Sequence, residues 1–178
     1  MDWRLIAVMA LSWILTMTPG GETVPVRAPT PPENVREDSR MWWELMKMIP
    51  ALPWGYFQEK DTWAGSGTFS GLDPNGVAQV NIRRGAPPSR FTVNHEAGHA
   101  LVAALGPQVM DTYWRARGLP GTRQDWPGGP QQWHIPEEMF ADDLGALAEP
   151  PGYVAYAERA TGVPYNRAIM DALYRGLR

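Results

Sequence analysis

His95-Glu96-Ala97-Gly98-His99 constrains this chain more than any other stretch of it. On an α-helix, residues four apart lie one above the other, so His95 and His99 offer two imidazole nitrogens to one point in space while Glu96 sits beside it. Two such nitrogens with a carboxylate beside them make a zinc hydrolase constellation, in which the ion takes three protein ligands and keeps one position for water next to that carboxylate. The pattern demands a helix and a third ligand brought to it from elsewhere. The chain has no Cys, so that ligand is a His, an Asp or a Glu. The competing reading is a pair of half-buried polar residues on an ordinary core helix.

The flanks predict the helix. Ser89 or Thr92 can cap its start, the run from Arg90 to Leu105 has no proline, and Gly106-Pro107 is a stop signal. Gly98 at mid-helix costs about 1 kcal/mol against Ala, which points to close approach by another backbone or by a substrate. A metzincin would carry Gly and His where Val102 and Leu105 stand, so that class is excluded. Farther on, Pro136 suits a first helical position, Glu137 and Glu138 fill the first turn, and Phe140, Leu144 and Leu147 make an apolar face. Glu138 and Asp142 share the other face one turn apart, the spacing of a zinc ligand and an acid that accepts the second ring N–H of a ligating His. Glu137 is the alternative ligand; otherwise Glu137 and Asp143 are acids favoured by a helix N-terminus.

His95-Glu96-x-x-His99 with Glu138-x-x-x-Asp142 resembles the gluzincin branch of the zincin metallopeptidases. The string Glu138-Met139-Phe140-Ala141-Asp142 is similar to the E-x-F-A-E stretch of the lethal-factor-like and Pro-Pro endopeptidase-like catalytic domains. The resemblance spans about Phe69 to Leu147. It implies that His95, His99 and Glu138 hold one Zn2+ ion, that Glu96 is the general base, and that Asp142 accepts the ring N–H of His95. These relatives carry an oxyanion-binding Tyr where this chain has Gln131. His134, the remaining His of the chain, is the nearest substitute, as oxyanion donor or third ligand, against a plain loop histidine.

Outside the motifs, composition sets limits. The length of 178 residues, 44% of them hydrophobic, suffices for one domain with a real core. A net charge of −3 and the lack of a basic stripe argue against a nucleic-acid partner. Arg4 followed by the apolar run Leu5 to Met17 is short of the about 20 residues that span a bilayer. Residues 1–20 therefore read as a signal peptide, with an uncleaved N-terminal anchor as the alternative. Residues 21–32 are a Pro-rich linker.

The domain proper is expected over residues 33–178. Glu33 to Ile49 has helical periodicity, and Trp54 to Gln58, Trp63 to Phe69 and Val77 to Arg83 read as short strands, with a turn at Leu72-Asp73-Pro74-Asn75-Gly76. Zincins resemble one another in setting an edge strand above the metal helix, and Val77 to Ile82 is the candidate for it. Asp111 to Arg117 reads as a short helix with Tyr113, Arg115 and Arg117 on an exposed face. Gly118 to Gln132 reads as a long loop walling the cleft, and Tyr153 to Ala160 with Tyr165 to Leu177 as a packing helix pair.

The expected architecture is a small α+β zincin-like domain, its active-site helix under a short mixed sheet, followed by a helical C-terminal half. The expected function is an exported, zinc-dependent peptidase acting on a peptide or protein substrate. The alternatives are an amidase acting on cell-wall crosslinks and a degenerate zincin that binds zinc or a protein partner without catalysis.

Overall fold

The helix that carries His95 and His99 is apolar or small on nearly every side, the pattern of a helix enclosed by other elements. A computed structural model describes residues 36–61, 67–87, 89–122 and 136–178, and puts this helix at the centre. The order is α1 (Glu37–Met48), β1 (Gly55–Lys60), β2 (Gly67–Leu72), β3 (Ala78–Arg83), α2 (Arg90–Leu105), α3 (Gln108–Arg117), α4 (Pro136–Ala146), α5 (Tyr156–Thr161) and α6 (Arg167–Gly176). The described residues through Leu177 fall in one compact unit of α+β class, with a three-stranded mixed sheet and a helical C-terminal half. The export segment 1–20, the linker 21–32, Gln131, His134 and most of the expected cleft-wall loop lie outside the described residues.

Local chemistry explains the elements. The Ser89 hydroxyl accepts the Thr92 N–H at 3.3 Å and starts α2, and Gly106, at φ +77°, ends it with its N–H on the Val102 carbonyl. In α1 the acids Glu37 and Asp38 sit at the start and Lys47 at the end, matching the helix dipole, while Met41, Trp42 and Leu45 turn inward. Trp42 packs edge-on against Phe57 at 5.5 Å, seating β1 on α1. The Asp73 carboxylate accepts the Asn75 and Val77 N–H groups, both at 2.8 Å, and shapes the turn between β2 and β3.

Strand order corrects one expectation. The sheet runs β1-β3-β2, with β1 parallel and β2 antiparallel to β3. The segment Val77 to Ile82 is thus the centre of the sheet and not its edge. Ala78, Val80 and Ile82, which alternate along the strand and share one face, are all buried, as is Asn81 of the other face. β2, with Thr68 and Ser70 exposed, forms one edge and β1 the other, and a β-bulge between Phe69 and Gly71 breaks the β2 ladder.

A second correction concerns α3. Arg115 is exposed, but Tyr113 and Arg117 are buried. Arg117 Nε donates to Asp143 Oδ2 of α4 at 2.7 Å, and the Tyr113 hydroxyl donates to the same oxygen at 3.0 Å. Arg117 Nη1 also donates to the carbonyls of Val163 and Pro164, at 3.1 and 2.7 Å, tying in the link between α5 and α6. Burial pushes the Asp143 carboxyl up to about 6 against the opposing pull of Arg117 and Tyr113, so it remains a carboxylate at neutral pH. Whatever the net worth of this pair, removing one member strands the other's charge in the core. Asp143→Ala should lower unfolding free energy by about 3–5 kcal/mol, read from urea denaturation; a loss under about 1 kcal/mol would mean that Arg117 reaches solvent instead.

Candidate metal centre

Two helices build the site, and their contact is unusually tight. The Asn94 side chain donates to the Leu144 carbonyl at 3.3 Å. A Cβ placed on Gly98 would lie 2.5 Å from the Ala141 Cα, and one on Gly145 would lie 2.9 Å from the Phe91 ring. The pairs descend along α4 as they ascend along α2, from Asn94 with Leu144 to Gly98 with Ala141, so the helices run antiparallel. At the level of His99 this register presents the first turn of α4, which holds Glu137 and Glu138. The mid-helix glycine is thus explained by close approach of a second backbone.

His95, His99 and Glu138 converge as a group able to hold a metal ion. His95 Nε2 and His99 Nε2 are 3.3 Å apart, and Glu138 places Oε2 at 3.3 Å from the first and Oε1 at 3.4 Å from the second. Donors about 2.0–2.1 Å from a tetrahedral ion are about 3.3–3.4 Å from one another. The two imidazole nitrogens have that spacing, and each faces a different oxygen of the Glu138 carboxylate at a similar distance. Aromatic rings limit both imidazoles: Phe69 stacks on His99 at 6.5 Å and 8°, and Phe91 on His95 at 6.0 Å and 23°.

The metal-free electrostatics follow from this crowding. Burial works against a charge on His99, but the carboxylates of Glu137 and Glu138 outweigh it and push the imidazole up to about 10. Burial likewise works against the Glu138 carboxylate, yet the two histidines hold it down to about 2. Glu96 stands apart. Its carboxylate is buried beneath β2, and Oε2 accepts the Phe69 N–H at 2.6 Å. Burial raises its pKa, with the histidines and the Phe69 amide pulling the other way. Gly67 permits this arrangement, since a Cβ there would lie 2.7 Å from the Thr92 methyl and 3.3 Å from Glu96 Oε1.

The structure does not bring Asp142 to His95. Asp142 Oδ2 accepts the Tyr156 N–H at 2.6 Å and Oδ1 the Tyr153 hydroxyl at 3.4 Å, so the carboxylate caps the start of α5. Its four-residue spacing from Glu138 does not bring it to a histidine, because the Tyr156 amide at the head of α5 takes the side chain. Glu137, read from sequence as an acid at a helix start, instead puts Oε1 3.3 Å from His99 Nδ1. Phe69 was missed as the partner of Glu96, and a backbone donor leaves no trace in residue identity. A separate groove of about 660 Å3, lined by Leu45, Ile49, Arg90, Arg167 and Tyr174 among others, contains none of the triad.

Two outcomes are expected. Gly98→Ala should drive a methyl into Ala141, and overpacking of about 1–3 kcal/mol should exceed the roughly 1 kcal/mol gain in helix propensity. Chelator competition should then show weaker metal binding; unchanged affinity would mean that α4 shifts without cost. Protons compete with the metal at His99, which stays protonated until the pH approaches about 10. Metal affinity should therefore climb about tenfold per pH unit through the neutral range for each proton displaced, and a flat profile would contradict a protonated His99. In comparisons with known proteins, the chain matches no protein-family model, no curated protein and no solved structure.

Proposed function

We propose that this chain is a zinc-dependent peptidase of the gluzincin type, exported from the cell that makes it. The observation that carries the reading is the convergence of His95 Nε2, His99 Nε2 and the two oxygens of the Glu138 carboxylate at 3.3–3.4 Å, next to a carboxylate, Glu96, that is not part of the group. His95, His99 and Glu138 would hold the ion. Bound zinc supplies Lewis acidity, which makes a water a better nucleophile and a peptide carbonyl a better electrophile.

The chain's own residues account for the rest. Glu96 is fixed on one oxygen by the Phe69 amide and is raised by burial, which moves a carboxylate toward the pH at which a base both accepts and returns a proton. It takes the proton of the attacking water and passes it to the leaving amine. A substrate in extended form would add to the edge of the sheet, and the edge lying on the metal helix is β2, through the contact between Phe69 and Glu96. Main-chain pairing of that kind suits a peptide and is indifferent to most side chains. The Glu96 carboxylate favours a catalyst over a chain that only binds metal.

Glu96→Gln tests the chemistry apart from the binding. The amide cannot accept the water's proton, so zinc content should be unchanged while hydrolysis of a peptide library falls about 10²–10⁴-fold. Turnover at the wild-type rate would remove Glu96 from the mechanism. Glu138→Ala, in contrast, should lose zinc and activity together.

A further inference from the structure

We propose that Glu137 is the positioning residue that fixes a metal-binding histidine in this chain, and that the histidine it fixes is His99. The proposal rests on the zinc reading above and reassigns a task that the family resemblance gives to Asp142 acting on His95. Glu137 Oε1 lies 3.3 Å from His99 Nδ1, while Nε2 of the same ring faces His95 and Glu138. An imidazole that binds a metal through Nε2 carries its proton on Nδ1, and a carboxylate at that distance accepts it.

The antiparallel register explains why this acid and not the other. At His99, α4 offers its first turn, where two successive acids point about 100° apart. Glu138 reaches between the imidazoles and Glu137 reaches the far side of His99. Asp142 lies a turn farther along and has both oxygens engaged by Tyr156 and Tyr153.

The two histidines are consequently held by different means. Phe69, stacked nearly parallel to His99 at 8°, defines the plane of that ring but not which of the two orientations related by a 180° flip about Cβ–Cγ it takes. Glu137 supplies the missing restraint. His95 has Phe91 stacked on it and Glu138 at its Nε2, and its buried Nδ1 has no hydrogen-bond partner among the described residues, so no carboxylate there holds it as Glu137 holds His99. The Glu137 side chain is 43% exposed, and the fold does not depend on its burial. A general dipole effect at the head of α4 makes a different demand, because it needs charge and not an acceptor aimed at His99.

The experiment compares zinc affinity, by chelator competition, in the wild-type chain and in Glu137→Ala, Glu137→Gln and Asp142→Ala. Circular dichroism checks folding, and long-range proton–nitrogen NMR of the zinc-loaded proteins reads the imidazole tautomers. Glu137→Ala should weaken zinc binding about 10- to 100-fold with helix content intact, and the His99 Nδ1–H signal should vanish into solvent exchange. Glu137→Gln should restore most of the affinity and the signal, since its amide oxygen still accepts. Asp142→Ala should keep wild-type zinc affinity while lowering the thermal midpoint, because α5 loses its cap. A Glu137→Ala protein with wild-type affinity and an unchanged His99 signal overturns the assignment, as does zinc loss confined to Asp142→Ala. A wild-type chain that takes up no zinc overturns the zinc reading and this proposal with it, so the two failures are distinguishable.

Discussion

Everything at the candidate metal centre depends on how closely α2 and α4 approach each other. A glutamate is short, and Glu138 must place its carboxylate between two imidazoles that belong to the other helix. Gly98 opposite Ala141 and Gly145 opposite the Phe91 ring remove the side chains that would hold the helices apart, and Asn94 bonded to the Leu144 carbonyl sets their register. Ordinary helix pairs sit about 8–10 Å apart, with the distance chosen by the residues at the contact. Small residues at the crossing select the near end of that range. Gly98 weakens its own helix by about 1 kcal/mol, and the packing against Ala141 that it permits offsets this.

Bringing so many ionisable groups together would be unfavourable if each had to be buried alone. The metal-free cluster avoids this by neutralising itself: Glu138, held down to about 2, and His99, pushed up to about 10, form an ion pair across the helix contact. Glu96 is kept out of that exchange. It lies under β2 with a neutral amide as its partner, and burial raises it where Glu138 is lowered. Two carboxylates in one site thus have opposite tendencies, set by environment alone. A lowered carboxylate suits a ligand and a raised one suits a base.

The sequence was most legible where chemistry is local. The caps at Ser89 and Gly106 bound α2 as their residue types require, and Pro136 with the acids that follow it opens α4. The apolar spacing of α1 and the Asp73 turn were legible for the same reason. Order and orientation were not. Alternation marks Val77 to Ile82 as a strand but cannot say that β1 and β2 flank it. Tyr113 and Arg117 looked like an exposed face because Asp143, which draws them inward, lies on another helix. The choice between Asp142 and Glu137 as partner of a histidine turns on the antiparallel sense of α2 and α4 and on the Tyr156 amide, which binds Asp142. Both are tertiary facts.

The acids of α4 show why neighbouring identical chemistry need not mean shared function. Successive residues of a helix point about 100° apart, so Glu137 and Glu138 address different sides of His99, and Asp142 and Asp143 address different neighbours altogether. Asp142 caps α5, while Asp143 binds Arg117 of α3 and, through it, the carbonyls that lead to α6. One end of α4 therefore faces the metal site and the other anchors the C-terminal half, and the same rigid rod carries both. Because a helix is a stiff rod, the buried Asp143–Arg117 pair helps to hold α4 at the height at which Glu138 meets the two histidines. The C-terminal helices, which contribute no residue to the His95–His99–Glu138 cluster, are on this argument tied to it through Asp143 and Arg117.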